Sequence, residues 1–105
     1  MPYVAQLLRT QTYTITVQAE NLVALTVFNM RRDRISEIES LVLDPTVDPN
    51  GTASTGPRTI AGSVSRVLIF ASAEGGTGTL TVSQVGQTNP ATTMSPDTSV
   101  VCDVV

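Results

Sequence analysis

Apolar and polar positions alternate along much of this chain with a period of two, the spacing that sends successive side chains to opposite faces of a β-strand. Thr12-Tyr13-Thr14-Ile15-Thr16-Val17-Gln18 is the clearest case, with Tyr13, Ile15 and Val17 on one face and threonines on the other. Val67 to Ala73 repeats the grammar: Val67, Ile69 and Ala71 share one face, Leu68 and Phe70 the other. Thr79 to Val85 follows suit, with Leu80 and Val82 expected inward. Leu22 to Met30 is apolar on both faces, which predicts a central strand covered on both sides. Further strands are expected over Ile35 to Leu43, Thr59 to Ser65 and Ser99 to Val105.

Turn chemistry separates these runs. Arg31-Arg32-Asp33-Arg34 reads as a charged turn, and Glu74-Gly75-Gly76-Thr77-Gly78 as a hairpin tip. Asp44-Pro45, Asp48-Pro49-Asn50-Gly51 and Gly56-Pro57 mark Asp44 to Pro57 as a long surface loop, and Pro90 and Pro96 do the same for Gln87 to Thr98. No long 3.6-residue pattern is present to supply helical crossovers. The fold class expected is therefore all-β: an antiparallel β-sandwich or jelly roll of seven to eight short strands, forming a single domain over residues 1–105.

Composition narrows the chemistry. The chain holds sixteen threonines and fourteen valines but no histidine and no lysine, and its one cysteine is Cys102. Those absences remove the commonest general base, Schiff-base amine and phosphate clamp, so no enzymatic activity and no cofactor are expected. Charged residues are only 14% of the chain and the net charge is −3, which argues against a nucleic-acid partner. No segment reaches the roughly 20 apolar residues of a membrane helix. Met1-Pro2-Tyr3-Val4 lacks the features of a secretory signal, and cytoplasmic assembly is the expectation. Cys102, set among valines, reads as a small buried hydrophobe.

Several short patterns carry weak chemical suggestions. Asp44 and Asp48 resemble the start of a calcium loop, but no distal glutamate completes it and an Asx turn fits better. The glycines from Glu74 to Thr79 lack the lysine of a phosphate loop. Asn50-Gly51-Thr52 matches a glycosylation acceptor, although a turn fits better without a secretory signal. Glu37 and Glu39 share a strand face without aromatic sugar platforms beside them.

The arginines are more telling. Arg31, Arg32 and Arg34 are half of all positive charge, gathered in four residues, and arginine's planar fork pairs with carboxylates and phosphates. The cluster is a solvated turn, a salt bridge to an acidic neighbouring subunit, or an anion site. Glu37, Glu39 and Asp33 lie close enough in sequence to neutralise it locally.

Low charge leaves a surface that loses water at little expense, and lysine, the common guard of exposed sheet edges, is absent. A non-catalytic structural protein acting through self-assembly, or through docking on a larger symmetric particle, is the leading expectation. Ser99 to Val105 is expected as an edge free to pair with a neighbour, and Arg31, Arg32, Arg34, Tyr3, Val104 and Val105 as the interface. Composition and strand rhythm resemble those of small β-sandwich decoration and tail-accessory proteins of bacteriophages. That resemblance implies a homo-oligomer bound to a shell or tail protein, located in the virion after assembly in the host cytoplasm. The alternative is a β-sandwich binding carbohydrate or peptide through the Asp44 to Pro57 and Gln87 to Thr98 loops.

Overall fold

The computed structural model describes residues 5–75, 77–94 and 96–105. Among these residues there are nine strands: β1 (Ala5–Leu7), β2 (Tyr13–Ala19), β3 (Leu22–Arg31), β4 (Arg34–Val42), β5 (Thr52–Ser54), β6 (Arg66–Ala73), β7 (Gly78–Gln84), β8 (Thr92–Met94) and β9 (Asp97–Val104). They form a five-stranded sheet in the order β1-β9-β6-β3-β4 and a four-stranded sheet in the order β5-β2-β7-β8. The all-β sandwich expected from the alternation is the fold observed.

The core lies between the sheets. Tyr13, Ile15 and Val17 of β2 and Leu80 and Val82 of β7 face Leu25 and Val27 of β3, Val67 and Ile69 of β6 and Cys102 of β9, all of them buried. Each large aliphatic side chain so buried contributes about 1.5–3 kcal/mol of transfer free energy. The period-two reading of β2, β6 and β7 predicted these facings residue by residue.

Six features differ from the sequence expectation. The extra strands β1, β5 and β8 have three residues each, too few to show an alternation. The sheets are antiparallel except at one edge, where β1 runs parallel to β9 with Ala5 opposite Cys102. In consequence β9 is not an edge strand, because β6 pairs with its other side. Residues 59–65 are not a strand. They form an irregular segment held by Arg9, whose guanidinium donates to the carbonyls of Ala61, Gly62 and Val64. The Glu74 to Gly78 stretch is not a hairpin tip either; it carries the chain from one sheet to the other, since β6 and β7 belong to different sheets. Finally, the loop from Asp44 to Pro57 contains β5, which pairs with β2 and buries Ala53.

Two bulges adjust the facing of the central strands. A register shift between Leu22 and Ala24 lets Leu22 and Leu25 both reach the core, so Val23 does not share the face of Leu25. A second shift, between Val27 and Phe28, leaves Ile38 of β4 without a directly opposite partner. At the other sheet, Gly78 sits so close to β2 that an added Cβ would overlap the Gln18 carbonyl oxygen and Ala19. Glycine is required there by space rather than by a turn.

Candidate interaction surface

Every strand of a sandwich has one face toward the partner sheet, and its other face should be polar if water covers it. The four-stranded sheet obeys this rule, presenting Thr14, Thr16, Gln18, Thr79, Thr81 and Ser83 on its outer side. The five-stranded sheet does not. The register places Phe28 beside Leu68, Leu68 beside Val101 and Met30 beside Ile35 on its outer side. Phe70 joins them, its ring meeting that of Phe28 edge to face at 5.6 Å and 85°. Phe70 remains 48% exposed, Val101 43% and Ile35 57%. Among the described residues no element covers this strip. Contiguous exposed apolar surface of this kind marks an interaction site more often than chance solvent exposure does.

The same face carries a recess of about 320 Å³ at one end, lined by Ala24, Thr26, Phe70, Ser72, Asp97 and Ser99 among others. It holds a single carboxylate. Among the described residues there is no group of three or more His, Cys, Asp or Glu side chains able to hold a metal ion. Asp44 and Asp48 instead close Asx turns: the Asp44 carboxylate accepts from the Thr46 amide and hydroxyl, and Asp48 from the Asn50 amide. The hydroxyl bond, then the amide bond, holds the Asp44 carboxyl below its ordinary pKa.

The arginine cluster lies where β3 turns into β4. Arg31 and Arg34 are opposite one another, with Arg32 and Asp33 as a two-residue turn and Arg32 at φ 47°. A positive φ at a residue bearing a Cβ is uncommon and is accepted here because the hairpin's twist demands it. The expected local neutralisation does not occur. Glu39 instead pairs with Arg58, at 2.8 Å, across the mouth of the sandwich. Arg66 pairs with Asp103 of the neighbouring strand and Arg9 clamps residues 61–64. Among the described residues no carboxylate pairs with Arg31, Arg32 or Arg34. Together with Asp33 and Ser63 they line a recess of about 300 Å³; the Arg31 Nε is itself closed off from solvent and has no hydrogen-bond partner. A buried donor left unsatisfied costs about 1–3 kcal/mol, a penalty that Arg31 carries in this position.

The remaining expected interface residues divide. Tyr3 lies outside the described residues. Val104 packs against the core and its amide donates to the Ser65 carbonyl. Val105 is exposed, but its amide donates to Leu7 and its carbonyl accepts from Arg9. The backbone that was expected to offer a free edge is therefore committed to β1 and to residue 65. Cys102 is fully buried, and burial pushes its thiol up to about 12.

Sequence reasoning missed the apolar outer face as a site. The signal was present in Leu68, Phe70 and the two-faced apolar run of β3, but a covered strand was assumed where the molecule leaves one side open. Comparison with family models, with curated proteins and with solved structures finds no match for this chain.

Proposed function

We propose that this protein is a non-catalytic structural component that works by assembling, with its own copies or on a larger symmetric particle, through the outer face of its five-stranded sheet. The observation that carries this reading is the uncovered strip formed by Phe28, Leu68, Phe70 and Val101. Burying it removes apolar area from water, and the charges that border it are few: Glu37 opposite Phe28, and the Arg66–Asp103 pair beyond Leu68. The edges of the sheets are poorer templates. β1, β5 and β8 have three residues each, and β4 is interrupted by its bulge at Ile38. Short and bulged edges discourage strand addition, so contact by the face is favoured over contact by an edge.

The non-catalytic part of the proposal rests on composition and burial. There is no histidine or lysine to act as base or amine, and the only thiol is sealed in the core in its protonated form. A virion shell or tail is the particle we propose, on the resemblance of composition and strand rhythm. The alternative, a binding module for carbohydrate or peptide, draws support from the recess beside Phe70 and Asp97.

Sedimentation velocity across a range of concentrations separates the two. The wild-type chain is expected to associate reversibly, and Phe70→Ser with Val101→Ser to weaken association at least about tenfold in a protein that keeps the wild-type circular dichroism. A wild-type protein that stays monomeric at every concentration, alone and mixed with shell protein, would remove the assembly reading and favour the ligand module.

A further inference from the structure

The charges of this chain are segregated along the strands. Register puts Arg31, Arg34, Arg66 and Asp103 at one end of the five-stranded sheet, and the Arg9 clamp and the Arg32–Asp33 turn at the same end. The opposite end is where β3 starts, β4 and β6 finish and β9 begins. It carries Glu20, Asp44, Asp48, Glu74 and Asp97 and no arginine. Cross-connections confirm that these loops meet: the Asn21 amide donates to Pro49, the Glu74 amide to Asn21 and the Ala73 amide to Pro96. Only Glu37, Glu39 and Arg58 lie between the two groups.

The molecule extends 39 × 25 × 25 Å, and the ten residues of β3 at about 3.3 Å each show that the long axis follows the strands. The two charged ends are thus several Debye lengths apart at physiological salt, where that length is about 8 Å. They cannot neutralise each other within one molecule. Between two molecules lying in line they can.

We propose that copies of this chain associate head to tail along the strand axis, with the Arg31–Arg34 recess of one copy receiving carboxylates from the Glu20 and Glu74 end of the next. This proposal rests on the self-assembly reading above and adds a second, polar contact to the apolar one. Among the described residues the guanidinium groups of Arg32 and Arg34, both exposed, have no internal partner and are available for bidentate pairing, and Arg31 beside them adds a third unpaired positive charge to the recess. The contact joins two different surfaces, so it is heterologous and propagates as a stack or ring. The outer sheet face stays on the side of that stack, free to lie against a particle.

Charge exchange tests it. Arg32→Glu with Arg34→Glu turns the arginine end acidic, so that both ends repel; Glu20→Arg with Glu74→Arg puts cations where the contact carboxylates stood and leaves only Asp44, Asp48 and Asp97 to oppose them. All four side chains are exposed and among the described residues none has a hydrogen-bonded partner within the chain, so both variants should fold with the wild-type circular dichroism and melting point. The wild type is expected to associate at about 50 mM NaCl and to lose at least about tenfold in association constant at about 500 mM. Each charge variant alone should lose this salt-sensitive association, and an equimolar mixture of the two should regain it. Association of both variants at the wild-type level, or no recovery in the mixture, would overturn head-to-tail pairing. If the wild type associates with a constant that holds or rises with salt, the polar contact is wrong and assembly through the apolar face stands. A wild type monomeric throughout removes both.

Discussion

At the scale of single residues, the interior tolerates little ionisation. Cys102 has an ordinary pKa of 9.0 and burial raises it to about 12, so between those values the unfolded chain has released a proton that the folded chain keeps. The stabilisation is complete below pH 9 and is lost as the pH climbs across that window. Stability measured by urea unfolding is therefore expected to decline above pH 9, and Cys102→Ala to flatten the decline while lowering stability at pH 7 by about 1 kcal/mol. A residual slope should remain, because burial also raises the Tyr13 phenol. Ile15, wholly buried, makes a harsher probe. Ile15→Asp is expected to yield no soluble folded protein, as judged by near-uniform amide shifts in an NMR correlation spectrum, because an unpaired carboxylate would enter the core.

Among the elements, what could be read from the sequence depended on length. β2, β6 and β7 are seven or eight residues long, and their facings followed directly from alternation. β1, β5 and β8 carry too few side chains to establish a period, and they are held by ladders to strands remote in sequence. The segment 59–65 misled for a related reason: Ile60 and Val64 sit in the core as strand residues would, yet the backbone between them turns. Glu74 to Gly78 carried the glycines of a hairpin, but local chemistry cannot tell a hairpin from a crossing between sheets. Of the site, the arginine turn was legible as a cluster and its lack of partners was not, since pairing of Glu39 with Arg58 is a tertiary event. Gln84 gave no sequence signal at all. Its side chain accepts from the Leu8 amide and donates to the Leu8 and Gln11 carbonyls, joining the segment after β1 to the second sheet. Gln84→Leu strands these backbone groups, and about 2–4 kcal/mol of stability should be lost, read as a lower urea midpoint at unchanged slope.

Across the whole molecule, four surfaces are distinguished by the side chains they carry. The outer side of the four-stranded sheet is threonine-rich, the outer side of the five-stranded sheet carries a row of apolar side chains bordered by Glu37, one end gathers five arginines with Asp33 and Asp103 beside them, and the other end carries carboxylates and no arginine. The absence of lysine first suggests unguarded edges, yet the edges here are kept short or bulged, and the positive charge that remains is concentrated at one end as arginine. A further consequence follows from the parallel β1–β9 pair. Ala5 lies opposite Cys102, so that one ladder joins residues nearly the full sequence apart. A growing chain cannot complete it on the ribosome until β9 has emerged, and Leu7, which ends fully buried, must wait in water until then. Such remote pairing slows folding through the entropy of closing a long loop. The first strand is thus the piece that neighbouring unfinished copies would compete to capture.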